Sequence, residues 1–218
     1  MEENNNISSC LLWGVGLYTP VDLGSVFRAE DYHDTGLELD SHITILYSPN
    51  KILPKNSIME DIKVILGEDR YEEFIGYCKD EKFRNIFNLF ELSSFSNDSD
   101  YVILKLRQNN EFFGLVDLIN KGLRTKYRVS SDFDKYTPHI TLAEVRKGEA
   151  QKYVDNPSLH QILNDSRVDF EDLILSVDPG DKVYKQKFLT QFKNVDRYFR
   201  LENLRKSNEE LMKGDDLF

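Results

Sequence analysis

Two stretches of the chain carry nearly the same residues, Ser41-His42-Ile43-Thr44-Ile45-Leu46 and Pro138-His139-Ile140-Thr141-Leu142-Ala143, 97 positions apart. Only four histidines occur in the sequence, and two of them open these runs. Side chains alternate across a β-strand, so His42 and Thr44 share one face, and His139 and Thr141 do likewise. Ile43 and Ile45, and Ile140 and Leu142, then point into a core. Each copy offers an imidazole beside a hydroxyl on an otherwise apolar strand. One such strand alone reads as a half-buried element with a satisfied core histidine. Two of them point to chemistry, because a pair of imidazoles suits general acid and base work near neutral pH.

Other chemistries lack their signatures. There is no His-Glu-x-x-His, no paired cysteine motif and no His-x-His-x-His cluster, so no metal site is expected. No Gly-x-Ser-x-Gly elbow presents a nucleophilic serine. No Walker-type loop prepares a phosphate cradle, and no cofactor is expected. His33 and His160 lack the repeated context and read as surface residues.

The elements that must position the pair belong to a globular chain of 218 residues, 40% hydrophobic and 12% aromatic. A net charge of −10 argues against a broad grip on long duplex nucleic acid, while leaving room for a small anion in a locally basic pocket. Cys10 and Cys78 are too few for a disulfide framework and fit a reducing compartment. The start, MEENNNISSC, is acidic and polar where a signal peptide is basic and then apolar, and no apolar run reaches membrane-spanning length. A cytoplasmic protein without membrane contact is expected. Few alanines and many Asn, Lys and Ile fit an AT-rich, viral-type coding bias, and for a viral protein the compartment is the host cytoplasm.

Residues 1–9 read as a flexible leader, 10–194 as a bilobal domain and 195–218 as a charged C-terminal helix and tail. Leu11–Tyr18 reads as a strand with Gly14, Gly16 and Tyr18 on one face, a pattern that marks either close approach of a ligand or another backbone or a simple bend or bulge. Residues 19–40 form a loop with a helical turn near Val21–Phe27. The first His-Ile-Thr strand runs to about Tyr47. Ser57–Cys78 reads as one or two helices, Leu89–Phe95 and Tyr101–Leu106 as strands, and 111–123 as a helix. Residues 124–136 make a basic loop with Arg124, Lys126 and Arg128. A short helix spans 158–164. Val168–Val177 and Val183–Phe192 form a hairpin around Asp178-Pro179-Gly180-Asp181, and Asp196–Leu211 is a helix. The mixture is α+β with antiparallel sheets. Its two His-Ile-Thr strands fall in successive halves, each with its own helix, as in an internally duplicated, two-lobed fold around a central cleft.

On these two motifs, with a glycine-containing strand ahead of the first, residues from about 11 to 192 resemble the 2H phosphoesterase superfamily of LigT-like cyclic nucleotide phosphodiesterases. The resemblance implies a two-lobed α+β fold and metal-independent phosphodiester cleavage. It assigns the catalytic roles to His42, Thr44, His139 and Thr141. One imidazole would be the base and the other the acid, while the threonine hydroxyls hold the non-bridging oxygens. The implied partner is a small nucleotide or oligonucleotide; a cyclic oligonucleotide immune signal fits the viral-type composition. An RNA 2′,3′-cyclic phosphate and a non-catalytic nucleotide-sequestering role are the alternatives. Tyr18, Tyr136 and Tyr184 are candidates to stack on a base. Arg146 and Lys147 are candidates to contact phosphate, and Glu144 stands where many members carry a basic residue. Oligomeric state is not legible in the sequence.

Overall fold

Strand β1, Ser8–Thr19, is the spine of the first sheet. A computed structural model of the chain describes residues 8–38, 40–49, 51–79, 86–130, 136–178, 184–187 and 199–200. The alternation read from β1 places Leu11, Trp13, Val15 and Leu17 in the core, each at most 5% exposed. Trp13 meets the rings of Phe74, Phe112 and Phe170 at 4.4, 5.3 and 5.2 Å between centroids. These rings come from α2 (Glu68–Lys79), α4 (Glu111–Tyr127) and β7 (Arg167–Asp178), so one indole gathers three separate elements.

Two antiparallel sheets result. The first runs β3 (His42–Pro49), β1, β7, β8 (Tyr184–Lys187), with β9 (Phe199–Arg200) also on β1. The second runs β2 (Tyr32–Leu37), β6 (His139–Val145), β5 (Asp100–Leu106), β4 (Phe90–Ser96). The expected α+β class with antiparallel sheets is what the chain adopts, and each sheet receives one His-Ile-Thr strand.

The lobes do not follow the halves of the sequence. β2 comes from the first half yet pairs with β6, while β7 and β8 return from the second half to the first sheet. Helix α4 lies between β5 and β6 in sequence but packs on β3 and on α1 (Ile58–Leu66). Its Asn120 donates to Ile45 O at 2.7 Å, and Gly122 sits so close to Ile65 that an added Cβ would fall 2.7 Å from it. Buried Asp61 of α1 accepts from Lys126 and Tyr127 of α4. Burial works to raise its pKa, but these donors and Ser57 outweigh burial and lower it.

Several expectations are revised. Helix α4 continues to Tyr127 and ends on Arg128 at φ 52°, so Arg124 and Lys126 are helical and not part of a loop. Its start is fixed by Asn110, whose side chain accepts from Phe112 N at 2.8 Å. Strand β2 occupies part of the expected 19–40 loop, after a 3-10 turn at Leu23–Ser25. Helices α3 (Ile86–Leu89) and α5 (Ala150–Val154) are additional, and α6 (Pro157–Asn164) matches the expected short helix. β1 begins at Ser8, within the expected leader.

The expected helix over Asp196–Leu211 is interrupted where it is described, because Phe199 and Arg200 pair with Thr19 and Tyr18. The physical reason is an open edge. β3 leaves β1 at the Gly14–His42 pair, and the second segment covers backbone groups of β1 beyond it. The rest of that helix, the turn after Asp178 and the leader through residue 7 lie outside the described residues.

Candidate active site

The two His-Ile-Thr strands share more than sequence. In β3 the residues His42-Ile43-Thr44-Ile45 alternate half-buried and buried, and His139-Ile140-Thr141-Leu142 in β6 repeats that pattern. His42 Nδ1 lies 2.7 Å from Asp40 O, and His139 Nδ1 lies 2.8 Å from Thr137 O, each carbonyl two residues upstream. A carbonyl only accepts, so each Nδ1 carries the proton and each Nε2 is the nitrogen available for chemistry. Each strand then shifts register by one residue immediately after the threonine. Thr44 opposes Leu12 while Leu46 opposes Leu11, leaving Ile45 as the extra residue. Thr141 opposes Ile103 while Ala143 opposes Val102, leaving Leu142. A bulge at the same place in both motifs turns the strand locally and re-aims what precedes it.

The strands belong to different sheets but lie beside one another. Tyr136, just ahead of β6, donates its hydroxyl to Thr44 O at 2.8 Å. Together with Asn120 on Ile45 O, it covers carbonyls on the outer edge of β3. Burial lowers the His139 pKa below the usual value; the Thr137 carbonyl opposes this, and the charge of His42 lowers it further. The charge of His42 therefore lies within electrostatic reach of His139. His139 is held towards its neutral form.

Around His42 the first sheet presents little bulk, since Gly14 lies directly opposite it. Cys10 and Leu12 share that face with Thr44. Burial pushes the Cys10 thiol up to about 12, with the Thr44 side chain as a hydrogen-bond partner. A thiol so raised is a poor nucleophile at neutral pH. Among the described residues no group of three or more His, Cys, Asp or Glu is placed to hold a metal ion.

Around His139 the second sheet is polar and aromatic. Lys105 lies directly across the ladder, paired with Glu91 at 2.9 Å. Ile103 and Tyr101 continue the same face of β5, and Phe95 of β4 lies opposite Tyr101. Phe95 stacks on Tyr101 at 4.7 Å and 13°, and meets the His139 ring edge-to-face at 5.2 Å and 67°. The Tyr101 hydroxyl in turn donates to Glu144 Oε1 at 3.1 Å. Glu144 also accepts from Ser99 Oγ at 2.6 Å, Thr35 Oγ1 at 2.6 Å and His33 Nδ1 at 3.2 Å. Burial would raise its pKa, but Ser99, Thr35, Tyr101 and His33 outweigh that and hold the carboxyl at about 2. His33 is thus a half-buried partner of Glu144 on β2, not the isolated surface residue expected; the sequence carries no local sign of this pairing.

The other expected contacts are dispersed. Tyr18 is 6% exposed and has the Arg167 guanidinium 5.0 Å from its ring centre. Tyr184 begins an edge strand opposite Val177, which faces Ser9. That position is three strands and five residues from His42, roughly 20 Å. Arg146 and Lys147 follow the far end of β6, roughly 20 Å from His139; Lys147 donates to Asn97 O. Of the expected binding residues, Tyr136 alone is placed against the motif strands. Lys105 and Phe95 also lie beside His139 and are not among the expected contacts. A lysine inside the apolar run Val102-Ile103-Leu104-Lys105-Leu106 was the available signal for the first, and nothing local marked the second.

No family model matches the sequence, and no curated protein matches it. Among solved structures, the chain is similar to Kluyveromyces marxianus Usb1 with uridine monophosphate, at 12% identity and a TM-score of 0.37. A second structure of Kluyveromyces marxianus Usb1 is similar at 14% identity and a TM-score of 0.36. Both matches cover 84% of this chain and 99% of the other. Likeness of this degree leaves the function to be argued from the chain's own residues.

Proposed function

We propose that this chain is a metal-independent phosphodiesterase of the 2H type, acting on a cyclic or 2′-linked nucleotide phosphodiester. The observation that carries the reading is the duplicated motif geometry. Two imidazoles, each tied through Nδ1 to a carbonyl two residues upstream and each followed by a bulge after the threonine, stand on neighbouring strands of two sheets.

His139, held towards neutrality, is the base, and His42 is the acid. Water or a ribose 2′-hydroxyl attacks phosphorus and passes its proton to His139 Nε2. The bond from phosphorus to the opposite oxygen breaks, and that oxygen takes a proton from His42 Nε2. Thr44 and Thr141 donate to the non-bridging oxygens, where negative charge accumulates. The acidic chain favours a small nucleotide over long nucleic acid. A cyclic oligonucleotide immune signal is the substrate proposed, and an RNA 2′,3′-cyclic phosphate is the alternative.

The test is cleavage in EDTA, read by mass spectrometry. Cyclic di- and trinucleotides, 2′-5′ oligoadenylate and a 2′,3′-cyclic-ended RNA are incubated with the wild type and with His139→Ala. Metal-free turnover that falls by about 10²- to 10⁴-fold in the variant is expected. Turnover that needs a divalent cation, or that survives in His139→Ala, refutes the paired-histidine mechanism. Tight binding with no turnover identifies a sequestering protein.

A further inference from the structure

Phe95 is an exception on its sheet. It is a large apolar residue, 40% exposed, on the face that carries His139, Lys105 and Glu144. The ring is nevertheless not loose. Tyr101 lies against it at 4.7 Å, nearly parallel, and the Tyr101 hydroxyl is fixed by the buried Glu144 carboxylate. Glu144 is itself held from β2 and from the residues leading into β5. A chain of contacts therefore presets the orientation of Phe95, whose ring also touches His139. Among the described residues β4 is the edge of its sheet, and none of the described strands lies beyond Phe95.

We propose that Phe95, backed by Tyr101 and Glu144, is a stacking subsite for the nucleobase nearest the scissile phosphate on the His139 side. The inference rests on the phosphodiesterase reading and deepens it, naming a planar base as a required part of the substrate. A preset aromatic ring binds a base with little ordering cost, and it tolerates any base because every base has a π-face. The contact is the same before and during reaction, so it acts on KM and leaves kcat nearly unchanged.

The experiment compares wild type, Phe95→Leu and Phe95→Trp on adenosine 2′,3′-cyclic phosphate and on the same cyclic ribose phosphate lacking a base. Phe95→Leu keeps an apolar side chain without a ring. It is expected to raise KM for the base-bearing substrate by about 5- to 150-fold, and Phe95→Trp to restore it. Turnover of the baseless substrate should fall far less than that of the base-bearing one in Phe95→Leu. Equal losses on both substrates, carried in kcat, would show that Phe95 only steadies His139 and would overturn the subsite. An unchanged KM in Phe95→Leu would overturn it as well. If the wild type turns over neither these compounds nor the panel above, the phosphodiesterase reading fails separately. Titration of adenosine 5′-monophosphate then decides the subsite: binding weakened in Phe95→Leu and restored in Phe95→Trp supports it, and absent or unchanged binding overturns it.

Discussion

Replacing Glu144 by Gln removes a charge from the centre of the second sheet while keeping the shape of the side chain. Glu144 is 8% exposed, and its two oxygens accept from Ser99, Tyr101, His33 and Thr35. Its carboxyl moves from the ordinary 4.5 to about 2 in the fold. Each pH unit of difference is about 1.4 kcal/mol, so the ionised form contributes about 3 kcal/mol at neutral pH. The sign follows from the lowered value: the contribution is fully present above 4.5 and is lost as pH falls towards 2. Linkage leaves about 1.4 kcal/mol at pH 3. The amide would also turn an N–H against donors that now find an acceptor, which keeps the cost from being recovered. Urea denaturation of wild type and Glu144→Gln at pH 5.5 and pH 3 measures both quantities. The variant is expected to be less stable by about 3 kcal/mol at pH 5.5, with the gap narrowing by about 2 kcal/mol at pH 3. A gap that stays constant over that range, or one below about 1 kcal/mol, would refute the claim that charge at Glu144 anchors this face.

Two further outcomes follow from the packing and the site. Because burial and the charge of His42 lower His139, the acid limb of the kcat/KM profile should lie below the ordinary histidine value near 6.5. A limb at or above that value would exclude His139 as the base. Gly122→Ala would drive a methyl to 2.7 Å from Ile65 Cγ2, between α1 and α4. A loss of about 1–3 kcal/mol by thermal or urea unfolding is expected, and Ile65→Val should relieve part of it in the double variant. Additive losses would show that the two side chains do not compete for that space.

Local pattern determined much of this protein. The repeated His-Ile-Thr, the alternation of Trp13, Val15 and Leu17, and the helical spacing of Phe112, Leu115, Val116 and Ile119 each depend on neighbours in sequence. Each period is set by backbone geometry alone. Such signals placed the motif histidines on strands and put the isoleucines between them into a core. Tertiary structure decided what lies beside each histidine. Register between β6, β5 and β4 brings Lys105 and Phe95 to His139 and Tyr101 to Glu144, and pairing of β2 with β6 brings His33 and Thr35 to Glu144. Those partners are separated by up to 111 residues, and a one-residue slip would turn each to the opposite face, so no window of sequence contains them. The lowered pKa of His139 has the same origin. The sequence around it nearly repeats that around His42, but desolvation is a property of what the rest of the chain packs around a group.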